Sequence, residues 1–527
     1  MSSRARLWLL TLLLFGGFAL RAHRPGALAG FVDELSHIER SEVIYTIGTN
    51  PTEYSHGKLL YYYWLGLFGT HRTAALEMMR LATALLSLVT MAAVAAGARS
   101  LFGRGAALPA ALVYALAPFA VFFERMALAD PLAAALSALA AWHSVLLARG
   151  PSIRKGVLTG LLVTGAIFAK LTVAPVLALP VLAAILFGDV PEPDFRRASL
   201  RVYARALWRR YWPVWRLIAL VFAIAWIIFG IGAIVSLLQG GRPIVFNTYL
   251  TDPSARPDAL LDRLSGLWER IRLLLTPGLA FGVILLVALA IGRWTRATLY
   301  SLVWLALLWA PSVVLASSLQ SRYLLAGVPA IAVLIGGGIA RIGRLRAVRR
   351  RPGLRLVARA ATAIALAAWA IGFALPFDWR ASTDPAALTV PRRDSYDYFW
   401  GAFNGWGTRG ALRYLSEQGE RVRGRVPAVG VMQLCSISTL YVPPEINWRC
   451  HDYYELGEGV TFAPPRWRFL RDALDEMAWV YLVTEFSEAV PPDEPPVLPG
   501  MQWKREATFA KPHGERVVTV WRVTGGE

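Results

Sequence analysis

Long apolar segments recur along the chain from its N-terminus to about residue 376, and they limit the folds that it can adopt. A membrane-spanning helix needs about 20 mostly apolar residues, or somewhat fewer where neighbouring helices bury its ends. Eleven segments meet this requirement: 7–23, 75–98, 106–122, 130–148, 156–169, 171–188, 216–238, 277–292, 297–317, 323–340 and 357–376. The first lacks a convincing signal-peptide cleavage site, so we expect it to be retained. The pattern predicts a polytopic α-helical membrane protein.

The distribution of charge predicts how these helices are oriented. The net charge is +20, although charged residues make up only 17% of the sequence and hydrophobic residues 56%. If the N-terminus lies inside, the inner connections carry a net charge of +21 and the rest of the chain −1; they are 1–6, 99–105, 149–155, 189–216, 293–296 and 341–359. Short loops rich in Lys and Arg stay in the cytoplasm. We therefore predict eleven spans in the cell (inner) membrane, with the N-terminus inside and the C-terminus outside. Nucleic-acid binding is disfavoured because the basic residues are dispersed and no reader motif occurs.

The remaining residues, 377–527, differ in composition from the membrane module, 1–376. They contain 17 basic and 20 acidic residues together with many prolines and aromatic residues. A helix-like stretch and three strand-like runs follow one another; they are 408–420, 429–434, 479–484 and 516–523. Alternating helices and strands are typical of an α/β domain. We predict a small α/β domain on the outer, extracytoplasmic side.

The two cysteines, Cys435 and Cys450, both lie in this second region. An oxidising compartment would favour a disulfide between them, and the alternative is a pair of free thiols in a small core. Neither cysteine has the neighbours that a zinc site requires, so a structural zinc site is not expected.

The first outside loop, residues 24–58, contains two adjacent carboxylates, Asp33 and Glu34, and ends in a His56-Gly57-Lys58 sequence. Ionisable groups beside the apolar phase are costly and favour a functional interpretation. A carboxylate near a hydroxyl acceptor can act as a general base. The alternative is a solvated loop in which the two acids cap a helix.

The second outside loop is short and ends at Asp130, which precedes Pro131. This pair is typical of a helix start with Asp130 as the N-cap and the proline in the first turn. The same residue would also place a third carboxylate on the membrane face that carries Asp33. Both interpretations are compatible.

Three cations, Lys58, Lys170 and Arg322, fall on the outer face, against the orientation rule. An anionic lipid head group would explain them because phosphate favours Lys and Arg. Snorkelling to the head-group region is the alternative for each residue. The aromatic run at 61–64 is typical of an interfacial belt.

Together these motifs resemble the GT-C superfamily of membrane glycosyltransferases, in particular the bacterial branch similar to protein O-mannosyltransferases and lipid A aminoarabinose transferases. The similar stretches occur in the family's order; they are Asp33-Glu34, His56 to Trp64, Arg80-Leu81-Ala82, Arg125 to Asp130, Gly160 to Lys170, and Ser321-Arg322-Tyr323 to Pro329. The family's usual double proline after the histidine is replaced here by Gly57-Lys58. The resemblance covers residues 1–376 well and the rest loosely.

The resemblance implies a GT-C fold and a lipid-linked donor. Such an enzyme moves a hexosyl or pentosyl group from a polyprenyl phosphate or diphosphate to a hydroxyl of a protein, lipid or glycan, with inversion. It implies Asp33 as general base, and Glu34 and Asp130 as groups that shape the pocket. Donor phosphate would be met by Lys58, Arg125 and Arg322. Other residues would line the substrate pocket: His37, His56, Tyr62, Tyr63, Lys170 and Tyr323.

No cofactor is required by the sequence. Some relatives bind a divalent metal, and the ligand set here is left open; His37, His56, Glu34 and Asp130 are the side chains that could supply one.

Two other functions compete with a glycosyltransferase. A transporter or lipid flippase should place ionisable groups near the middle of the bilayer, whereas those of this chain lie at the ends of the apolar segments. A non-catalytic envelope-assembly protein would use residues 377–527 for binding and would not require Asp33.

Overall fold

The computed structural model describes residues 3–69, 75–189, 200–245, 260–276, 295–315, 319–342, 352–432, 434–452, 468–485, 500–514 and 516–525. The chain divides into two compact units. The membrane unit comprises the described residues up to 25, of 40–69 and of 79–384; the C-terminal unit comprises those of 26–39, 75–78 and 385 onward.

The membrane unit is helical, although its second and fourth helices begin with residues of the C-terminal unit. In chain order the α-helices of the first half are α1 (Ser3–Ala22), α2 (Val32–Val43), α3 (Leu59–Gly66), α4 (Ala75–Phe102), α5 (Ala107–Ala115), α6 (Pro118–Glu124), α7 (Asp130–Arg149), α8 (Ile153–Ala169) and α9 (Leu179–Phe187). They continue with α10 (Leu200–Leu238), α11 (Leu260–Arg270), α12 (Arg296–Leu315), α13 (Val328–Ile342), α14 (Pro352–Trp369) and α15 (Leu375–Thr383). Short 3₁₀ helices, Leu171–Ala178 and Ser321–Gly327, precede α9 and α13.

Within the described residues, seven helical stretches are long and apolar enough to cross a membrane, and the bent pair α5–α6 makes up to eight. They coincide with eight of the eleven predicted segments. Predicted segments 156–169 and 171–188 are helical but short, because α8 has 17 residues and the next segment begins as a 3₁₀ helix that contains Pro175. Segment 277–292 lies outside the described residues. The chain is thus a multi-pass helical membrane protein, with fewer full-length helices described than the hydropathy predicts.

A buried arginine stabilises the bend of 57° between α5 and α6. Pro118 begins α6, so the carbonyl groups before it lose their regular helical donors. Arg21 of α1 donates to the carbonyl oxygens of Tyr114 and Ala115 at 3.2 and 2.8 Å, and its Nε lies 2.5 Å from a Glu124 carboxylate oxygen. The bend is therefore encoded by the sequence, through Pro118 and the partners of Arg21.

Two glycines allow α8 and α10 to pack closely. A Cβ at Gly156 would lie 3.3 Å from the Cβ of Val214, and one at Gly160 would lie 3.1 Å from the Cβ of Val221. Small residues four apart permit this approach of two helices within a membrane. The packing fixes α8, whose C-terminal end carries Lys170.

The C-terminal unit contains a mixed sheet with helices on both faces. Its strands are β1 (Val426–Met432), β2 (Ile446–Asp452), β3 (Trp479–Glu485), β4 (Met501–Ala510) and β5 (Val517–Gly525), in the order β2-β1-β3-β5-β4. β1 is parallel to β2 and β3, whereas β5 is antiparallel to β3 and β4. The helices α16 (Arg392–Ser395), α17 (Thr408–Val422) and α18 (Arg468–Glu476) accompany them. Leu412 of α17 and Leu470 of α18 belong to separate cores of this α/β domain.

Cys435 and Cys450 form a disulfide, with their Cα atoms 5.6 Å apart. Cys450 lies on β2, and Cys435 begins a 3₁₀ helix that follows β1.

We expect the protein purified without reductant to carry this disulfide. Alkylation of the unfolded, unreduced protein should therefore add no label at either cysteine, and prior reduction should add two. Labelling of both cysteines without reduction, measured by intact mass, would show that the thiols are free.

Candidate active site

The loop that presents Lys58 is held in place by its backbone. His56 and Gly57 both adopt left-handed conformations, with φ of 42° and 71°. Proline fixes φ near −65°, so the family's double proline cannot be accommodated at Gly57 in this loop. The His56 N–H donates to the carbonyl of Ile244 at 3.1 Å, and Gly57 accepts from the N–H of Leu171 at 3.1 Å. Lys58 then serves as the N-cap residue of α3.

The contact with Leu171 brings the Lys58 loop to a second group of predicted site residues. Lys170 ends α8, and its Nζ lies 2.5 Å from Oδ1 of Asp130 at the start of α7. The same ammonium lies 4.4 Å from the ring centroid of Tyr323. The guanidinium carbon of Arg322 lies 5.5 Å from the same centroid. Asp130, Lys170, Arg322 and Tyr323 are thus linked by these contacts in the membrane unit, and a backbone hydrogen bond joins the Lys58 loop to them.

The prediction that Asp130 is the N-cap of its helix is wrong. The N-cap position of α7 is Ala129, and Asp130 is the first residue of the helix. Its carboxylate is only 5% exposed and faces Lys170. A buried carboxylate needs a charged or hydrogen-bonding partner more than a helix start needs a side-chain cap.

The prediction that the aromatic run at 61–64 forms an interfacial belt is wrong for its first two tyrosines. Tyr61 and Tyr62 are fully buried and do not form an interfacial belt. The hydroxyl of Tyr61 lies 2.7 Å from that of Thr83, and the hydroxyl of Tyr62 accepts from Arg40 at 3.1 Å. Tyr63 is half-buried, and its carbonyl accepts from the hydroxyl of Tyr45. Burying a tyrosine is favourable here because its hydroxyl finds a partner.

The hydrogen bonds of Arg125 go to the end of α1 and not to Asp130, Lys170 or Tyr323. Its guanidinium donates to the carbonyl oxygens of Leu20, His23 and Arg24 at 2.6, 2.8 and 3.2 Å. These carbonyls end α1, where the last helical carbonyls lack intrahelical donors.

Arg40 is a site residue that the sequence analysis missed. It binds the hydroxyl of Tyr62, and its charge acts on His56 together with that of Lys58. Its signal in the sequence was available, since Arg40 is a further cation in the first outside loop. A helix pattern alone did not indicate that α2 would turn Arg40 toward α3.

Burial and two nearby positive charges keep the His56 ring neutral. Burial is the main reason that the pKa of His56 falls to about 4, and the charges of Arg40 and Lys58 lower it further. At pH 7 its ring is therefore uncharged and unsuited to act as a general acid.

This pKa predicts a specific dependence of stability on pH. Between about pH 6.5 and 4 the unfolded chain binds a proton at His56 and the folded chain does not, so acidification should destabilise the folded state. His56→Gln should lose less stability than the wild type between pH 7 and pH 4.5, as measured by thermal unfolding in detergent. Equal losses in the two proteins would contradict the assignment.

Asp33, Glu34 and His37 lie at the start of α2, within the C-terminal unit. Glu34 is fully buried, and its Oε2 accepts from the N–H of Phe31 at 3.0 Å. His37 is 1% exposed, whereas Asp33 is only half-buried. Glu34 is therefore committed to the turn that begins α2, and Asp33 is the more accessible carboxylate of the pair.

The described residues contain no group of three or more His, Cys, Asp or Glu side chains arranged to hold a metal ion. The four side chains considered as metal ligands, His37, His56, Glu34 and Asp130, do not form such a group.

Comparisons with known proteins agree with the motifs. Residues 59–229 match the family described as dolichyl-phosphate-mannose-protein mannosyltransferase. Among solved structures, ArnT from Cupriavidus metallidurans bound to undecaprenyl phosphate is similar, with a TM-score of 0.57 and 17% identity over 99% of this chain and 98% of that one. The apo form of the oligosaccharyltransferase from Archaeoglobus fulgidus has a TM-score of 0.50 and 14% identity, over 92% of this chain and 70% of that one. No curated protein sequence gives a significant match.

These comparisons confirm the resemblance predicted from the sequence. The family model matches part of the chain, and the likeness to the solved structures shows the fold. The chain is a multi-pass membrane protein with the fold of the GT-C superfamily of glycosyltransferases.

Proposed function

We propose that this protein transfers a sugar from a polyprenyl-phosphate-linked donor to an acceptor hydroxyl on the extracytoplasmic side, with inversion at the anomeric carbon. The observation that carries the proposal is two sets of cations in the membrane unit. Lys170, paired with Asp130, and Arg322 both lie beside the Tyr323 ring, and Arg40 and Lys58 both act on His56. The backbone hydrogen bond from Leu171 to Gly57 joins the loops that carry the two sets. A surplus of cations at buried or half-buried positions is suited to a lipid phosphate.

Each group has a separate part in the proposed reaction. Asp33 accepts the proton of the acceptor hydroxyl, whose oxygen forms a bond to the anomeric carbon. The bond from that carbon to the phosphate oxygen breaks in the same displacement, so the configuration inverts. Lys58, Arg40 and Arg322 stabilise the negative charge that develops on the departing lipid phosphate.

Other predicted site residues act indirectly in this proposal. Lys170 neutralises Asp130 and orients the Tyr323 ring through its cation–π contact. Arg125 fixes the C-terminal end of α1 through three carbonyl groups and does not bind the donor. Glu34 shapes the loop that carries Asp33 and does not take the proton.

The proposal is tested by transfer from a defined donor. Protein reconstituted into vesicles is given a panel of polyprenyl-phosphate-linked sugars (a hexose, a pentose and an amino sugar), and the released polyprenyl phosphate is measured. We expect release with at least one donor, and a large loss of release in Lys58→Met but not in Lys504→Met, at a largely exposed lysine of β4. Absence of release with every donor, in protein that binds the donors, would favour a transporter or flippase.

The orientation is tested separately. A reporter fused after residue 376 should read as extracytoplasmic, because the positive loops predict an N-terminus inside and eleven crossings. A cytoplasmic reading at this position, with a control fusion after residue 155 giving the expected cytoplasmic signal, would reject that topology.

A further inference from the structure

The backbone just before Asp33 is bound by the C-terminal unit at several points. The N–H of Gly405 donates to the carbonyl of Gly30 at 2.8 Å, and the N–H of Val32 donates to the carbonyl of Phe403 at 2.9 Å. Phe31 pairs with Asn404 in an isolated antiparallel bridge. Residues 403–405 therefore hold the segment 30–32 as a short strand would, and Asp33 is the next residue.

Further contacts come from other parts of the same unit. Tyr441 hydrogen-bonds through its hydroxyl to the N–H of Gly30, and the ring of Tyr398 packs edge-on against Phe31 at 4.8 Å. Arg409 of α17 donates to the carbonyl of Gly26 at 2.7 Å. The segment that leads to Asp33 is thus fixed by side chains far away in the sequence.

The turn that supplies these contacts is itself supported by a buried cation. Lys511 follows the end of β4 and is only 2% exposed. Its Nζ donates to the carbonyl oxygens of Gly401 and Asn404 at 3.0 and 3.5 Å, and it pairs with Glu485 of β3 at 2.6 Å. A fully buried lysine is rare and requires such a set of partners.

We infer that Lys511 is a positioning residue for Asp33, acting through the turn at 401–404. The sheet of the C-terminal unit offers a rigid base, Lys511 ties the turn to that base, and the turn fixes residues 30–32. This inference rests on the proposed role of Asp33 as general base. Such support matters because an error of about 1 Å in the position of a general base reduces the rate strongly.

Three variants separate this role from a general loss of stability. Lys511→Met with Glu485→Leu removes both buried charges, and apolar replacement of such a pair is often tolerated. It leaves the carbonyl groups of Gly401 and Asn404 without the Lys511 donor. Glu485→Gln alone removes the charge of the partner but keeps the lysine and its bonds to the turn. Lys504→Met, at an exposed lysine of β4 paired with Glu506, is the matched control.

The readouts are amide hydrogen exchange in the peptide that covers residues 30–34 and the steady-state constants of transfer. In the double variant we expect exchange there to rise about tenfold or more, and kcat to fall about tenfold with KM for the lipid donor unchanged. Glu485→Gln and Lys504→Met should leave exchange at 30–34 and kcat within about twofold of the wild type, although Glu485→Gln should lower the melting temperature.

If the double variant does not fold, Arg409→Gln tests the same support at Gly26, and we expect faster exchange at 26–34 with a lower kcat. Unchanged exchange at 30–34 in a folded double variant, or a fall in kcat that merely follows the melting temperature across all variants, would overturn the inference. Faster exchange in a protein whose wild type transfers no sugar would retain the support of the loop and reject the proposed function.

Discussion

Replacement of Asp33 by asparagine is expected to lower the rate of sugar transfer by about 10²–10⁴-fold, the usual contribution of a positioned general base. The amide is nearly isosteric with the carboxylate but cannot accept a proton at neutral pH. Because Asp33 is half-buried and lies in the first turn of α2, the substitution should not disturb folding or membrane insertion. Donor binding should persist, so the loss should appear in kcat.

Two neighbouring acids provide the controls. Glu39→Gln changes an exposed acid of the same helix and should leave transfer within about twofold of the wild type, as surface substitutions usually do. Glu34→Gln keeps an oxygen that can accept from the N–H of Phe31, so its effect should be much smaller than that of Asp33→Asn. Full activity in Asp33→Asn would reject the general-base assignment, and a greater loss in Glu34→Gln would exchange the roles.

Replacement of Lys170 by methionine is expected to destabilise the membrane unit by about 3–5 kcal/mol, because it leaves the carboxylate of Asp130 buried without its cationic partner. The two side chains are 8% and 6% exposed, so water cannot replace the lost partner fully. The cation–π contact with Tyr323 is lost as well. Thermal or denaturant unfolding in detergent should show the change directly.

A double-mutant cycle isolates the interaction. Asp130→Asn in the Lys170→Met background should restore part of the stability, since the uncompensated charge is removed. The matched control is the exposed pair Arg210–Asp189, whose side chains are 41% and 86% exposed. Arg210→Gln should change the free energy of unfolding by about 0–1 kcal/mol. Equal changes in the free energy of unfolding for Lys170→Met and Arg210→Gln would show that the buried pair contributes no more to stability than the exposed one.

The order of short motifs was enough to predict the superfamily, and with it many of the residues that the membrane unit assembles. Asp130, Lys170 and Arg322 were selected from the sequence because charged groups at span ends are costly, and Tyr323 was selected because its stretch resembles the family's motif. Their pairing could not be predicted, because a carboxylate before a proline has an ordinary explanation as a helix cap. Only the packing of α7 against α8 decides between a cap and an ion pair.

The strands of the C-terminal unit were predicted only in part. Three strands, β1, β3 and β5, have apolar runs and were expected, whereas β2 and β4 were missed. β2 reads Ile-Asn-Trp-Arg-Cys-His-Asp and lies at one edge of the sheet, and β4 lies at the other edge with its residues partly or fully exposed. Edge strands carry polar residues, so hydropathy alone does not reveal them. Hydropathy alone also could not show that Lys511 is buried, since a single lysine beside a strand normally indicates a solvated face.

A density map of the protein with a polyprenyl-phosphate-linked sugar bound would test the central claim most directly. We expect the lipid phosphate to lie within about 2.7–2.9 Å of Nζ of Lys58 or of the guanidinium of Arg40 or Arg322. The sugar should lie beside Tyr323, with the Lys170–Asp130 pair intact. Phosphate density that contacts none of Lys58, Arg40 and Arg322 would contradict the assignment of this cationic grouping as the donor site.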